Sequence, residues 1–200
     1  MNWYKTATKT AVSVTPAEFV AMTWREKRVL ARNERISPET QRLFFTEPYE
    51  MKGEALVSLT RNPSITPATQ LLFFTEEYEH KDQVLSYLAR KIGIIPEVQR
   101  LFITQEYWGK YWTLRALTDN PSIHPEVQLL FFTEKYENKD GVLQDLVKNP
   151  SFLRDFTLKQ LLQIKKVARG GAKLHVLSKR LEQIQKVAAD IIRGKLKGGL

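Results

Sequence analysis

The sequence predicts an all-α fold: an α-solenoid of 29-residue helix pairs with a basic helical hairpin at its C-terminus. The segment NPSITPATQLLFFTEEYEHKD, starting at Asn62, returns at Asn120 as NPSIHPEVQLLFFTEKYENKD. The proline that opens each copy recurs every 29 residues, at Pro38, Pro67, Pro96 and Pro125. Apolar residues within each copy follow the spacing of amphipathic helices, and a fixed period of this length is the signature of stacked repeats.

Each copy is predicted to contain two short helices joined by a polar connector. In the second copy Thr66 is a candidate N-cap, and Pro67 takes the first helical position, where its missing N–H costs nothing. This helix A continues through a Gln-Leu-Leu-Phe-Phe stretch. The following helix B places Val84, Leu85 and Leu88 on one buried face. Asn-Pro then ends the copy, because proline disfavours a helical residue before it.

One copy alone cannot bury enough apolar surface to offset the entropy lost when its chain is ordered. Neighbouring copies must therefore cover each other's Leu and Phe side chains. Since helix A contacts both neighbours, we expect Leu72 to be a core residue. The chain divides into a cap with a truncated repeat (1–33), four full repeats with the start of a fifth (34–153), and the basic hairpin (154–200).

The truncated first copy begins with a capping box, Thr15-Pro16-Ala17-Glu18. Only 22 residues separate Pro16 from Pro38, which predicts a connector seven residues shorter than in the other copies. A terminal repeat of unusual sequence is typical of a cap, whose outer face meets water. We interpret Trp3 and Trp24 as cover for this end of the stack.

Two other rows of residues keep the period. Glutamine recurs at Gln41, Gln70, Gln99 and Gln128, which predicts a structural ladder of amide hydrogen bonds between copies rather than a ligand-binding stripe. Acidic residues recur at Glu47, Glu76 and Glu134, with Gln105 interrupting the row. We interpret the acidic row as a solvated face of the connectors.

The third copy departs from the pattern at its connector, where four of six successive residues are aromatic: Tyr107, Trp108, Tyr111 and Trp112. Aromatic side chains are common anchors of binding surfaces. These four residues are the candidate partner-binding site, which could grip an apolar peptide or stack nucleic-acid bases. The alternative is that they fill space between helices in a copy with a different turn.

The repeated pattern Asn-Pro-Ser-x-x-Pro-x-x-x-Leu-Leu is followed by an acidic connector, Lys-Asp before Val-Leu, and a closing Asn-Pro. Over residues 34–153 it resembles the leucine-rich repeat variant, a HEAT-like solenoid unit of bacterial and phage proteins. The resemblance implies a curved helical scaffold for binding and no particular reaction. Some family members hold an iron–sulfur cluster through cysteines; this chain has no cysteine, so that cofactor is not implied.

Residues 154–200 carry the whole net charge of +9, since they contain 12 Lys and Arg against 3 Asp and Glu. Two helices are predicted there, separated by Gly170-Gly171. A coiled-coil spacing in the second helix defines a candidate oligomerisation seam of Leu174, Leu177, Leu181, Ile184, Ala188 and Ile191. The candidate anion-binding surface, with nucleic acid as the favoured ligand, comprises Lys165, Lys166, Arg169, Lys173, Lys179, Arg180, Lys186 and Arg193. The alternative is that these charges only solubilise an amphipathic helix.

No catalytic or metal-binding motif stands in the sequence. His80, His124 and His175 lack the spacing of a metal site or a nucleophile–base pair. We therefore expect no enzyme activity, no cofactor and no metal; an activity like that of HEAT-like DNA glycosylases would rest on fold analogy alone. No apolar run is long enough to span a bilayer, and the first residues lack the apolar core of a signal peptide. The expected location is the cytoplasm or an intracellular or virion assembly.

Two functional hypotheses follow from these features. The first is a non-enzymatic adaptor that binds a protein partner through its repeats and an anionic partner through its basic C-terminus. The alternative is a structural subunit of an intracellular or phage assembly that oligomerises through the C-terminal helix.

Overall fold

The computed structural model describes residues 11–152, which form ten α-helices and no strand. In chain order the helices are α1 (Pro16–Ala21), α2 (Trp24–Ala31), α3 (Pro38–Thr46), α4 (Lys52–Thr60), α5 (Pro67–Thr75), α6 (Lys81–Ala89), α7 (Pro96–Thr104), α8 (Lys110–Thr118), α9 (Pro125–Thr133) and α10 (Lys139–Lys148). The predicted C-terminal hairpin, with its seam and its anion-binding residues, lies outside the described residues.

The predicted helix pairs are present from α3 onward as four copies of a helix A and a helix B. Every helix A begins at the proline of the repeat and is nine residues long. The predicted N-cap at Thr66 is confirmed, because its hydroxyl accepts a hydrogen bond from the N–H of Thr69 at 3.1 Å. Neighbouring copies pack A against A and B against B, so the described residues form an α-helical repeat fold.

The core lies between helices A and B along the whole described stack. Val84, Leu85 and Leu88 are fully buried, as predicted for helix B. The prediction for helix A is wrong at Leu72, which is only half-buried, whereas Phe73 and Phe74 are buried. Successive residues of a helix point about 100° apart, so the face that buries the two phenylalanines leaves Leu71 exposed and Leu72 at the edge of the core.

The glutamine row is a structural ladder, as predicted. The Gln41 side-chain amide donates to the carbonyl of Ile36 at 3.2 Å and to that of Ser64, in the next copy, at 3.1 Å. Its Oε1 accepts from the N–H of Thr66 at 3.0 Å. Gln70 and Gln99 make the corresponding bonds one and two copies further on. Each buried amide therefore ties its helix A to the start of the next.

A second ladder, not predicted from the sequence, uses the Asn of each Asn-Pro. The Asn62 side chain donates to the carbonyls of Ala31 and Asn33, in the preceding copy, at 2.8 and 2.9 Å. Asn120 and Asn149 repeat this arrangement. In the third copy the ammonium of Lys91 replaces the amide and donates to the Asn62 carbonyl at 2.6 Å.

A half-buried lysine lies at the C-terminal end of helix A in most copies and bonds to its last carbonyls. The Lys139 ammonium donates to the carbonyls of Phe132 and Glu134 at 2.7 and 2.6 Å, and Lys81 repeats this on Phe74 and Glu76. These carbonyls have no partner within the helix, and the negative end of the helix dipole favours a cation. Burial lowers the pKa of Lys139 and of the equivalent Lys52.

The cap is shortened differently from the prediction. Its helix A has six residues and its helix B eight, and two residues connect them where the later copies have five. The missing residues are therefore shared among both helices and the connector. Lys27 still donates to the carbonyl of Met22, the C-cap of α1, so the lysine closure survives. Trp24 is half-buried, and Trp3 lies outside the described residues.

Candidate functional site

The four aromatic residues of the third copy separate into one internal residue and three that reach the surface. The Tyr107 hydroxyl donates to the Phe102 carbonyl at 3.0 Å. Tyr49, Tyr78 and Tyr136 make the same bond in their own copies, and burial raises the pKa of Tyr107. Tyr107 is thus a space-filling residue of the repeat, which is one of the two alternatives considered from the sequence.

Trp108 and Trp112 do not fill space between helices, because their side chains are 82% and 63% exposed. Trp108 lies in the connector between α7 and α8, and Trp112 lies in the first turn of α8. The Trp112 ring meets the edge of Tyr111, with 4.9 Å between the ring centroids. We call Trp108, Tyr111 and Trp112 the aromatic platform.

Arg115 supports one side of the aromatic platform. Its guanidinium carbon lies 5.8 Å from the Tyr111 ring centroid and 5.9 Å from that of Trp112. The Arg115 Nε donates to the Asp145 carboxylate at 2.7 Å, which anchors α8 to α10. The Trp112 and Tyr111 rings are therefore held by a fixed cation.

Two clefts lie on either side of Trp108. The first has a volume of about 450 Å³, lies between the second and third connectors, and is lined by Phe74, Glu77, Lys81, Asp82, Leu85, Gln105, Glu106, Tyr107 and Trp108. The second has a volume of about 480 Å³ and extends to the fourth connector; its lining includes Asp82, Glu106, Trp108, Tyr111, Trp112 and Glu137. The indole of Trp108 thus forms a wall shared by two depressions in the surface.

Both clefts have a negative net charge, because each is lined by three carboxylates and one lysine. The buried Lys110 ammonium bonds to Glu106 Oε1 at 2.7 Å. Lys81 donates to two carbonyls of its own copy and to Glu77 Oε1 at 3.0 Å. The carboxylates of Glu77 and Glu106 lie mostly in solvent, since these side chains are 89% and 83% exposed. Asp82 and Glu137 add further negative charge.

Gly109 brings the aromatic platform close to the second copy. It has a left-handed backbone, with φ of 76°, and a Cβ built on it would lie 2.8 Å from the Cβ of Asp82. Only glycine fits this approach without a shift. The same position is occupied by Met51, His80 and Asn138 in the other copies, all left-handed as well. The sequence shows this feature as a glycine at a position of the period that the other copies fill with Met, His or Asn.

The remaining candidate residues do not form a site within residues 11–152. His80 precedes α6 in a left-handed conformation, and His124 precedes α9 with its buried Nδ1 unpaired. No three His, Asp or Glu side chains of the described residues are grouped as a metal site. In the same part of the chain, no helix has the length and apolar character needed to cross a membrane.

Comparison with protein-family models, with curated proteins and with solved structures finds no match to this chain. The resemblance to the leucine-rich repeat variant therefore rests on the sequence pattern and stays a prediction. The aromatic platform and its two clefts are the features on which a function can be argued.

Proposed function

We propose that this chain is a non-enzymatic scaffold, an α-solenoid that binds a protein partner at the aromatic platform. The observation that carries the proposal is the exposure of Trp108 and Trp112 on a repeat that otherwise buries its aromatic rings. Transfer of a large aromatic side chain out of water contributes roughly 1.5 to 3 kcal/mol. A partner that covers both indoles recovers this free energy, and tryptophan is among the residues most enriched at binding hot spots.

The ladders support the solenoid half of the proposal. Gln41 and its equivalents bond forward to the next copy, and Asn62 and its equivalents bond back to the preceding one. Each copy is thus tied to its immediate neighbours, as in solenoids, whose stability arises from nearest-neighbour interfaces. Such a stack presents one connector per copy along one edge, and the third connector together with the first turn of α8 carries the aromatic platform.

The basic C-terminal segment supports a second, anionic partner, with nucleic acid as the favoured class. The 19 basic and 19 acidic residues of 1–153 cancel, so all of the excess charge belongs to 154–200. About four to six phosphate contacts would give a slope of log K against log salt of roughly −4 to −5 on duplex DNA. A chain that ends at residue 153 should lose this binding; full-length protein that heparin does not retain at about 50 mM salt would contradict it.

Site-specific photo-crosslinking tests the protein-binding half. A photoreactive phenylalanine analogue would replace Trp112 and, in a matched control, Ile92, which is 67% exposed near the opposite end of α7. In cells of the source organism we expect one discrete protein adduct from position 112 and none from position 92. That adduct should disappear when Trp108→Ser is added. Equal adducts from both positions, or none from position 112, would contradict the proposal.

A further inference from the structure

We propose that the aromatic platform recognises a cationic side chain, with a Lys or Arg of a partner protein segment lying over the Trp108 ring among the carboxylates of the two clefts. This inference rests on the proposed function, because it specifies the chemistry of the partner. It is carried by the exposed ring of Trp108, the cations over the other tryptophans, and the charge of the cleft walls.

Trp108 differs from the other tryptophans that the structure describes. Arg25 and Arg28 place their guanidinium carbons 5.5 and 5.4 Å from the Trp24 ring centroid, and Arg115 lies 5.9 Å from that of Trp112. Among residues 11–152 no cation and no second ring packs on Trp108. Tryptophan has the aromatic face that binds cations best, so an external Lys or Arg would complete the pattern of the other two rings.

The connector tyrosines Tyr49, Tyr78, Tyr107 and Tyr136 form a tyrosine row, and in the third copy this row lacks a cation–π contact that the other full copies have. In the other full copies the lysine of helix B places its ammonium over the connector tyrosine, at 5.8 Å for Lys52 on Tyr49, 5.7 Å for Lys81 on Tyr78, and 5.5 Å for Lys139 on Tyr136. In the third copy Lys110 instead bonds to Glu106. The third copy therefore carries two exposed rings that its neighbours lack, Trp108 in the connector and Trp112 in α8, while its own lysine bonds to Glu106.

The charges beside Trp108 favour a basic protein segment over nucleic acid. Asp82 and Glu106 line both clefts, with Glu77 on one side and Glu137 on the other. A nucleic-acid strand stacked on Trp108 would bring its phosphates toward these carboxylates, and like charges at short range repel. A guanidinium or ammonium would meet the π face and the carboxylates together. The two clefts leave room for the side chains that flank it.

The experiment uses the full chain with ¹⁵N-labelled indoles and three synthetic seven-residue peptides. The peptides share a central leucine and differ at two positions beside it. Both positions are arginine in the first peptide, glutamine in the second and glutamate in the third. The indole N–H signals of the four tryptophans are assigned with single Trp→Phe variants. We expect the arginine peptide to shift the Trp108 and Trp112 signals and to bind about tenfold more tightly than the glutamine peptide. The glutamate peptide should shift neither signal.

Matched variants separate the ring from the charges. Trp108→Phe keeps an aromatic face and should bind the arginine peptide more tightly than Trp108→Leu, which keeps only the apolar surface. The double change Asp82→Asn with Glu137→Gln should weaken binding about tenfold and reduce its dependence on salt. The double change Glu97→Gln with Glu126→Gln also removes two negative charges, at residues that line neither cleft, so it is the charge-matched control and should bind as the unchanged protein does.

Other results would overturn the inference in distinguishable ways. Equal shifts with all three peptides would mean apolar docking without cation recognition, and the scaffold proposal would stand. Shifts of Trp108 by a thymidine oligonucleotide and by no peptide would overturn the inference in favour of base stacking. No shift by the arginine peptide at millimolar concentration would also overturn it, and the crosslinking experiment at position 112 would then decide the scaffold proposal separately.

Discussion

The second and third copies share one backbone plan and use it differently. Both have nine-residue helices with the same fully buried phenylalanine, Phe73 or Phe102. The second copy caps helix A with Thr66, whereas Ile95 in the third copy forms no side-chain cap. The connector of the second copy is acidic, and that of the third carries Trp108. The third copy thus keeps the core of the repeat and changes the groups at its ends.

Contacts with neighbouring copies, more than the N-cap, keep helix A of a copy in its position. Loss of an N-cap costs roughly 0.5 to 2 kcal/mol, yet α7 has the same length as α5. Gln70 still bonds to the N–H of Ile95 at 2.9 Å, so a neighbouring copy supports the start of the uncapped helix. Because neighbouring copies stabilise the repeat, its surface positions can carry side chains that serve binding instead of folding.

The largest effect on stability is expected from a substitution in the core that the two copies share. Phe102→Ala should lower the free energy of unfolding by about 3 to 5 kcal/mol, because the ring is fully buried and lies 4.8 Å from the ring of Phe74. The half-buried Leu101→Ala is the matched control and should cost less than half as much. Urea unfolding measures both. Equal losses would mean that the buried face of helix A is wrongly assigned.

The tyrosine row is also common to both copies, and it makes stability depend on alkaline pH. Burial raises the pKa of Tyr78 far above the value of about 10 that it has in the unfolded chain. The folded state therefore retains a proton that the unfolded state loses. Stability from this residue is complete below pH 10 and falls above it, by about 1.4 kcal/mol per pH unit.

Tyr78→Phe isolates this contribution from that of the lysines, whose lowered pKa values act in the opposite direction. The variant should be less stable at pH 8, because the hydrogen bond to the Phe73 carbonyl is lost. Its stability should then decline less between pH 10 and pH 11 than that of the unchanged protein. Parallel declines in urea unfolding at the two pH values would disprove the proposed linkage.

A smaller effect on stability is expected when the missing N-cap of the third copy is restored. Ile95→Thr and Ile95→Val both shorten a side chain that packs against the core, and they have nearly the same shape. The threonine variant should have a free energy of unfolding about 1 kcal/mol higher than the valine variant, because its hydroxyl can accept from the helix as Thr66 does in the second copy. A threonine variant no more stable than the valine variant would show that the cap is not what the third copy lacks.

The sequence predicts the period, the starts of helix A and the glutamine ladder, because each depends on residues that recur at a constant spacing. It does not decide which side of helix A is buried, since the run Leu71-Leu72-Phe73-Phe74 is apolar on every side. Nor does the aromatic composition of this stretch show that Tyr107 is internal while Trp108 is exposed. In the other copies the position of Tyr107 is also a tyrosine bonded to helix A. The position of Trp108 is an exposed glutamate there, so the comparison of copies, and not residue type, carries this information.

The most direct test measures stability and binding on one variant, Trp108→Ser. We expect the free energy of unfolding to change by no more than about 0.5 kcal/mol, as is usual for exposed positions. We also expect loss of the crosslinked partner and of arginine-peptide binding. A variant that unfolds far more easily while still binding the peptide would show that Trp108 supports the fold, and it would contradict the central claim.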